Sequence, residues 1–80
     1  MTAFVYLLRC ADGTLYCGWS TDPDRRLRQH QAGAASRYTR TRLPVELVYT
    51  RRFATRAEAM REELRIKRMS TAGKRRLANV

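Results

Sequence analysis

Acidic residues are scarce in this 80-residue chain. Seven Asp and Glu stand against seventeen Lys and Arg, a formal net charge of +10. That balance fits a polyanionic partner, either nucleic acid or an anionic membrane surface. Lysine is also scarce: apart from Lys67 and Lys74 every cation is Arg, whose planar fork suits bidentate phosphate contacts. Long apolar runs are missing. The longest, residues 3–8, falls far short of the ~20 residues of a membrane-spanning helix, so no membrane insertion is expected. The first residues lack a charged leader and a long apolar stretch, so no export signal is expected. Two cysteines, Cys10 and Cys17, cannot build a disulfide framework. With His30 as the single histidine, a four-ligand Cys/His zinc site within one chain is excluded. Few thiols and no export signal give the expectation of a cytoplasmic protein, with both thiols acting as small buried hydrophobes. The length allows one domain, residues 1–80. Apolar residues at 44% and charged residues at 30% make it globular rather than disordered.

The charge is unevenly placed. Residues 1–20 hold one Arg and one Asp, and the excess of Arg begins after them. Residues 3–9 and 14–20 are rich in strand formers, with Asp12-Gly13 between them, a hairpin signal. A two-residue loop would put Tyr6 and Tyr16 on opposite faces. A three-residue loop, 11–13 with Gly13 left-handed, sets Tyr6 opposite Gly18 and Leu8 opposite Tyr16. It also gathers Val5, Leu7, Leu15, Cys17 and Trp19 on the other face, and that coherence selects it. Asp22-Pro23 starts a helix over 23–32 that Gly33 ends. Residues 34–44 read as a basic loop and 45–53 as a third strand. Thr55 with Glu58 is a capping box opening a helix over 56–69. Ser70 caps a last helix over 71–78. The fold expected is α+β: a three-stranded antiparallel sheet with flanking helices, in the order β-β-α-β-α-α.

Three short segments could meet in one site. Tyr6 and Tyr16 share a hairpin face. Gly18 interrupts a strand, which often marks close approach by a ligand or backbone. Arg26 and His30 share a helix face. With Phe4-Val5-Tyr6, Tyr16-Cys17-Gly18, Arg26 and His30 in this order, the chain resembles the GIY-YIG nuclease domain family over about residues 3–78. It looks nearest to the small stand-alone bacterial branch, which the stretch Ser36-Arg37-Tyr38-Thr39-Arg40 and the later Glu63 with Arg65-Ile66-Lys67 also resemble. Phe4 stands where the family's leading Gly would be, and Val5 and Cys17 stand for Ile. These departures touch packing and backbone rather than chemical groups.

The resemblance implies phosphodiester hydrolysis assisted by one divalent cation, Mg²⁺ or Mn²⁺, on nucleic acid, with DNA favoured over RNA. It implies Tyr6 as general base, Tyr16 as its assistant or a phosphate ligand, Arg26 on the scissile phosphate and Glu63 on the metal. His30 fits three roles equally: orienting a neighbour, shuttling a proton, or lying as a polar residue on the helix edge. Arg37, Arg40 and Arg42, interleaved with Tyr38, read as a nucleic-acid-binding loop. Lys74, Arg75 and Arg76 on the last helix are the next such surface. At about 100° per residue, Met60, Leu64, Ala57, Ala59 and Ile66 form an arc facing the sheet. Glu63 falls inside that arc beside Lys67, and Glu62 on the solvent side. The rival reading is a basic nucleic-acid-binding module with a degraded site. Substrate choice is expected to come from the structure of the nucleic acid (ends, nicks or branches), from a protein partner or from a dimer.

Overall fold

The computed structural model describes residues 2–80. Strand β1 (Ala3–Arg9) is the centre of a three-stranded antiparallel sheet, between β2 (Leu15–Ser20) and β3 (Glu46–Phe53). The first hairpin has the expected three-residue turn. Cys10 N–H donates to Thr14 C=O at 2.8 Å, and Gly13 takes φ 84°, which costs glycine nothing. Tyr6 therefore pairs with Gly18 and Leu8 with Tyr16. A bulge between Leu7 and Leu8 shifts the pairing with β3, so Leu7 faces Tyr49 while Leu8 faces Leu47.

Alternation along β1 feeds two cores. One face sends Ala3, Val5 and Leu7 into a cluster with Cys17, Ala59 and Ile66. The other sends Tyr6 and Leu8 to Val45 and Cys10, with Tyr16, Leu27 and Leu47 around them. Leu7, Leu8 and Ile66 are fully buried, each contributing about 1.5–3 kcal/mol through lost water contact. Helix α1 (Pro23–Gln31) covers the second face; α3 (Arg56–Lys67) and α4 (Thr71–Ala78) cover the first. Asp22, Thr55 and Ser70 cap these helices by accepting from Arg25, Glu58 and Gly73 N–H, each cap contributing about 1 kcal/mol. The Gln31 amide bonds both backbone groups of Val45, fixing the end of α1 to the start of β3.

Two expectations need correction. The basic loop contains a short helix, α2 (Arg37–Arg40), capped by Ser36, which accepts from Tyr38 N–H. Four residues are too few for a periodic signal, and only the cap spacing marked it. The buried arc of α3 is also displaced from the expected one: Ala59, Ile66 and Glu63 face inward as read, and the rest of the arc does not. Met60 and Leu64 are 47% and 54% exposed, whereas Ala59 and Ile66 are fully buried. Glu62, expected in solvent, has a side chain only 11% exposed. It can be half-buried because Arg65 binds both its oxygens at 2.6 Å and Arg51 of β3 reaches it at 3.4 Å. Smaller differences lie at the ends: β2 begins at Leu15, β3 at Glu46, α1 stops at Gln31 and α3 at Lys67.

Candidate active site

His30 lies in the last turn of α1 and is fully buried, so it is not a helix-edge residue. Its Nε2 is 3.0 Å from the Tyr6 hydroxyl and its Nδ1 2.8 Å from Thr39 Oγ1. Thr39, on α2, is also fully buried, and its hydroxyl donates to Ser36 C=O at 3.4 Å. A threonine has one hydroxyl proton; with that proton assigned to Ser36 C=O, the oxygen accepts from His30, and Nδ1 carries the ring proton. In the neutral ring Nε2 is then the acceptor, and Tyr6 O–H donates to it. Burial and the charge of Arg26 both hold the His30 pKa below its ordinary value, which keeps the ring neutral near pH 7.

Tyr6 sits across β1–β2 from Gly18, and the phenol fills the space a side chain at 18 would take. Burial pushes Tyr6 up to about 12, against the opposing effect of a hydrogen bond from Arg26. Glu63 is close enough to raise it further by its negative charge. Arg26 is held in turn by Gln29, whose Oε1 accepts from Nη1 at 3.0 Å, one helical turn away. The Tyr16 ring packs edge-on against His30, with centroids 5.2 Å apart. The fold thus brings Tyr6, Tyr16, Gly18, Arg26 and His30 together. Glu63, from the opposite layer, enters the same electrostatic field.

Glu63 is half-buried, with Lys67 Nζ at 3.6 Å from Oε1. Among the described residues no three His, Cys, Asp or Glu side chains gather as a ligand set. A single carboxylate still fits Mg²⁺ or Mn²⁺, because Mg²⁺ keeps several waters and is bound through one or two carboxylates plus substrate phosphate. The long Glu63–Lys67 separation leaves the carboxylate without a tight competing partner.

The cations of the 37–42 segment have unlike roles. Arg42 is engaged: its guanidinium lies 3.9 Å over the Tyr38 ring, Nε donates to Asp12 Oδ2 and Nη1 to Tyr38 C=O. Tyr38 also stacks near-parallel on Tyr16, at 5.8 Å. A base could reach the Arg42-covered face of Tyr38 only by displacing that guanidinium. Arg40 lies along Gly33. Arg37 and Arg76 are exposed on the surface. Lys74 and Arg75 line a cleft of about 250 Å³ with Tyr38 in its wall, so the loop and α4 share one basic surface. Arg75 also donates to Gly13 C=O at 3.0 Å.

Thr39 and Gln29 are the site residues that sequence reasoning missed. Ser36 as a cap marked the turn that carries Thr39, but no signal marked the Thr39 side chain itself. Among the described residues no helix is long and apolar enough to cross a membrane.

A UPF0213 protein of Natronomonas pharaonis is 51% identical over 74 residues, covering 92% of this chain and 87% of its own. A UPF0213 protein of Nitratidesulfovibrio vulgaris is 57% identical over 68 residues; the match takes 85% of this chain but only 62% of that longer one. The solution structure of a UPF0213 protein from Bacillus halodurans superposes with a TM-score of 0.64 at 43% identity, over 99% of this chain and 84% of that one. The family model described as the GIY-YIG catalytic domain matches residues 2–76, and the tyrosines, glycine and arginine brought together around His30 lie within that span. The chain belongs to the GIY-YIG domain family.

Proposed function

We propose that this chain hydrolyses phosphodiester bonds in nucleic acid, DNA before RNA, with Tyr6 as general base and His30 as the group that receives its proton. The buried Tyr6–His30–Thr39 hydrogen-bond chain beside Arg26 carries this reading. A phenol held near 12 is a poor base by itself at neutral pH. Coupled to a neutral imidazole, it can take a proton from attacking water while passing its own to His30 Nε2. Thr39 holds His30 in the tautomer that leaves Nε2 open. Arg26 stabilises the charge that builds on the phosphate, and Tyr16 assists Tyr6 or binds a phosphate oxygen. Glu63 would hold Mg²⁺ or Mn²⁺, which supplies Lewis-acid stabilisation of the phosphate and the departing oxygen. The basic surface of Arg37, Arg40, Lys74, Arg75 and Arg76 holds the strand by its phosphates.

The test is incubation with labelled single-stranded, duplex and branched DNA and RNA, with Mg²⁺ or Mn²⁺ and with EDTA. Metal-dependent cleavage that Tyr6→Phe abolishes is the expected result. Salt-sensitive binding with no cleavage in any arm would instead identify a binding module.

A further inference from the structure

Arg26 also lines a cavity that the hydrogen-bond chain does not use, of about 360 Å³, beside the start of α1. That volume lies at the lower end of the ~300–1,000 Å³ of small-molecule sites. Its walls carry three arginines, Arg25 and Arg26 from α1 and Arg56 from the start of α3. The single acidic wall residue, Asp22, uses Oδ1 to accept from the N–H of Arg25 as the helix cap, and its charge is set against three arginines. Gln29 uses its carbonyl oxygen on Arg26, which leaves its amide N–H groups to donate. Ser20 Oγ accepts from Asp22 N–H and keeps its own proton to give. The cavity is therefore rich in donors, and its three arginines outnumber its one carboxylate. One aromatic completes it: Trp19, half-buried, packs against the core below and lines the cavity above.

We propose that this cavity is a nucleotide subsite, taking the nucleotide next to the scissile phosphate. The phosphate lies against Arg25, Arg26 and Arg56, and the base against the indole of Trp19. The inference rests on the reading of the chain as a protein acting on nucleic acid and narrows the substrate class. Cations alone would accept any anion. The aromatic wall beside them favours a phosphate joined to a flat apolar group. Sharing Arg26 with the Tyr6 site sets the subsite next to the reacting phosphate. A base can reach the indole only when it is out of the duplex stack. Single strands, flaps and frayed ends are thus bound in preference to continuous duplex, since an unpaired base carries no unpairing cost.

Trp19 is the only tryptophan, so all indole emission comes from a residue in the wall of this cavity. Tyr6→Phe protein, expected to bind without cutting and kept in EDTA, is titrated at low salt with thymidine 5′-monophosphate, a short single-stranded oligothymidine, a hairpin duplex and inorganic phosphate. The mononucleotide and the single strand should change Trp19 emission saturably, while inorganic phosphate and the duplex stem should leave it unchanged. Arg25→Ala with Arg56→Ala should weaken the single-strand response at least ~10-fold, since two phosphate contacts are lost. Trp19 itself stays in place because it supports the core, and circular dichroism confirms that the double variant is folded. The proposal is overturned if single strands shown bound by anisotropy leave the emission unchanged. Equal responses to inorganic phosphate and mononucleotide, or unchanged affinity in the double variant, overturn it as well. A Trp19 response in a protein that cleaves nothing upholds the subsite and removes the nuclease reading. Cleavage with a silent Trp19 does the reverse.

Discussion

Tyr6 and Gly18 face each other across the β1–β2 ladder at a distance only glycine permits. A Cβ at position 18 would come within 2.6 Å of the Tyr6 Cζ. The phenol lies over bare backbone, and its hydroxyl is thereby aimed at His30.

Gly18→Ala should displace that ring. Overpacking of this kind costs about 1–3 kcal/mol, readable in urea denaturation. Cleavage should fall much further than stability, because the Tyr6–His30 bond goes with the displacement. Native kinetics in a folded Gly18→Ala protein would show that Tyr6 has room to spare and that the close approach is incidental.

Tyr6→Phe removes one hydroxyl and leaves His30 Nε2 without a donor, at a cost of about 1–3 kcal/mol for a buried polar atom. Thr39→Val removes the acceptor for Nδ1 and should cost as much, whereas Thr39→Ser should restore most of both stability and rate. Cleavage at the native rate by Tyr6→Phe would pass the base role to Tyr16.

His30 makes stability depend on pH in a defined direction. Its pKa is lowered in the folded state, so below about 6.5 the unfolded chain binds a proton that the folded chain resists. The stabilisation is complete above that value and is lost as pH falls through the lowered one. His30 is the only histidine, and most carboxylates titrate below about pH 5. Stability should therefore drop between pH 7 and pH 5, and His30→Gln should flatten that interval. The acid limb of kcat/KM should follow the same group, lying below about pH 6.5, because only neutral His30 can receive a proton. A pH-independent stability over the interval would refute the buried neutral imidazole.

The two glutamates of α3 should separate by function. Glu62→Gln breaks contacts to Arg65 and Arg51 and should lower stability by about 0.5–1.5 kcal/mol, with cleavage kept. Glu63→Gln should keep stability and nucleic-acid binding but lose metal-dependent cleavage. Unchanged Mn²⁺ affinity in Glu63→Gln, measured by calorimetry, would make it an ion-pair residue of Lys67 and no more.

The arginines after α1 should separate as well. Arg37→Ala should weaken nucleic-acid binding and reduce the salt slope by about 1, the effect of one lost phosphate contact. Arg42→Ala should instead loosen the Asp12 turn and the Tyr38 ring, and show up first in thermal unfolding. Identical salt slopes for wild type and Arg37→Ala would move the phosphate surface to Lys74, Arg75 and Arg76.

The hairpin register was legible because it has a period of two and a glycine-marked turn, and a slip by one would have buried the wrong set. Helix α3 was not legible by the same logic. Its apolar residues Met60 and Leu64 point outward, while Ala59 and Ile66 are buried with two half-buried glutamates beside them. The difference arises from Arg51, which comes from another strand and makes Glu62 tolerable near the sheet. No single-helix pattern contains that partner. Tyr6, Tyr16, Gly18, Arg26 and His30 could be read from motif order. Thr39 could not, since its value lies only in the ring nitrogen it meets across nine residues of chain.

The two clusters on either side of β1 are unequal, and the inequality concerns motion. The α3 side gathers Ala59, Ile66 and Leu77 from its helices and Met69 from the link between them, whereas α1 contributes chiefly Leu27 and the buried His30 to its side. Local opening is cheapest where few apolar contacts must be given up. Helix α1 should lift before the sheet and α3 separate, and amide exchange should be faster in α1 and α2 than in β1 or α3. Such an opening uncovers Tyr6 and His30 while Glu63 stays on its rigid support, so half of the site can breathe against a fixed half.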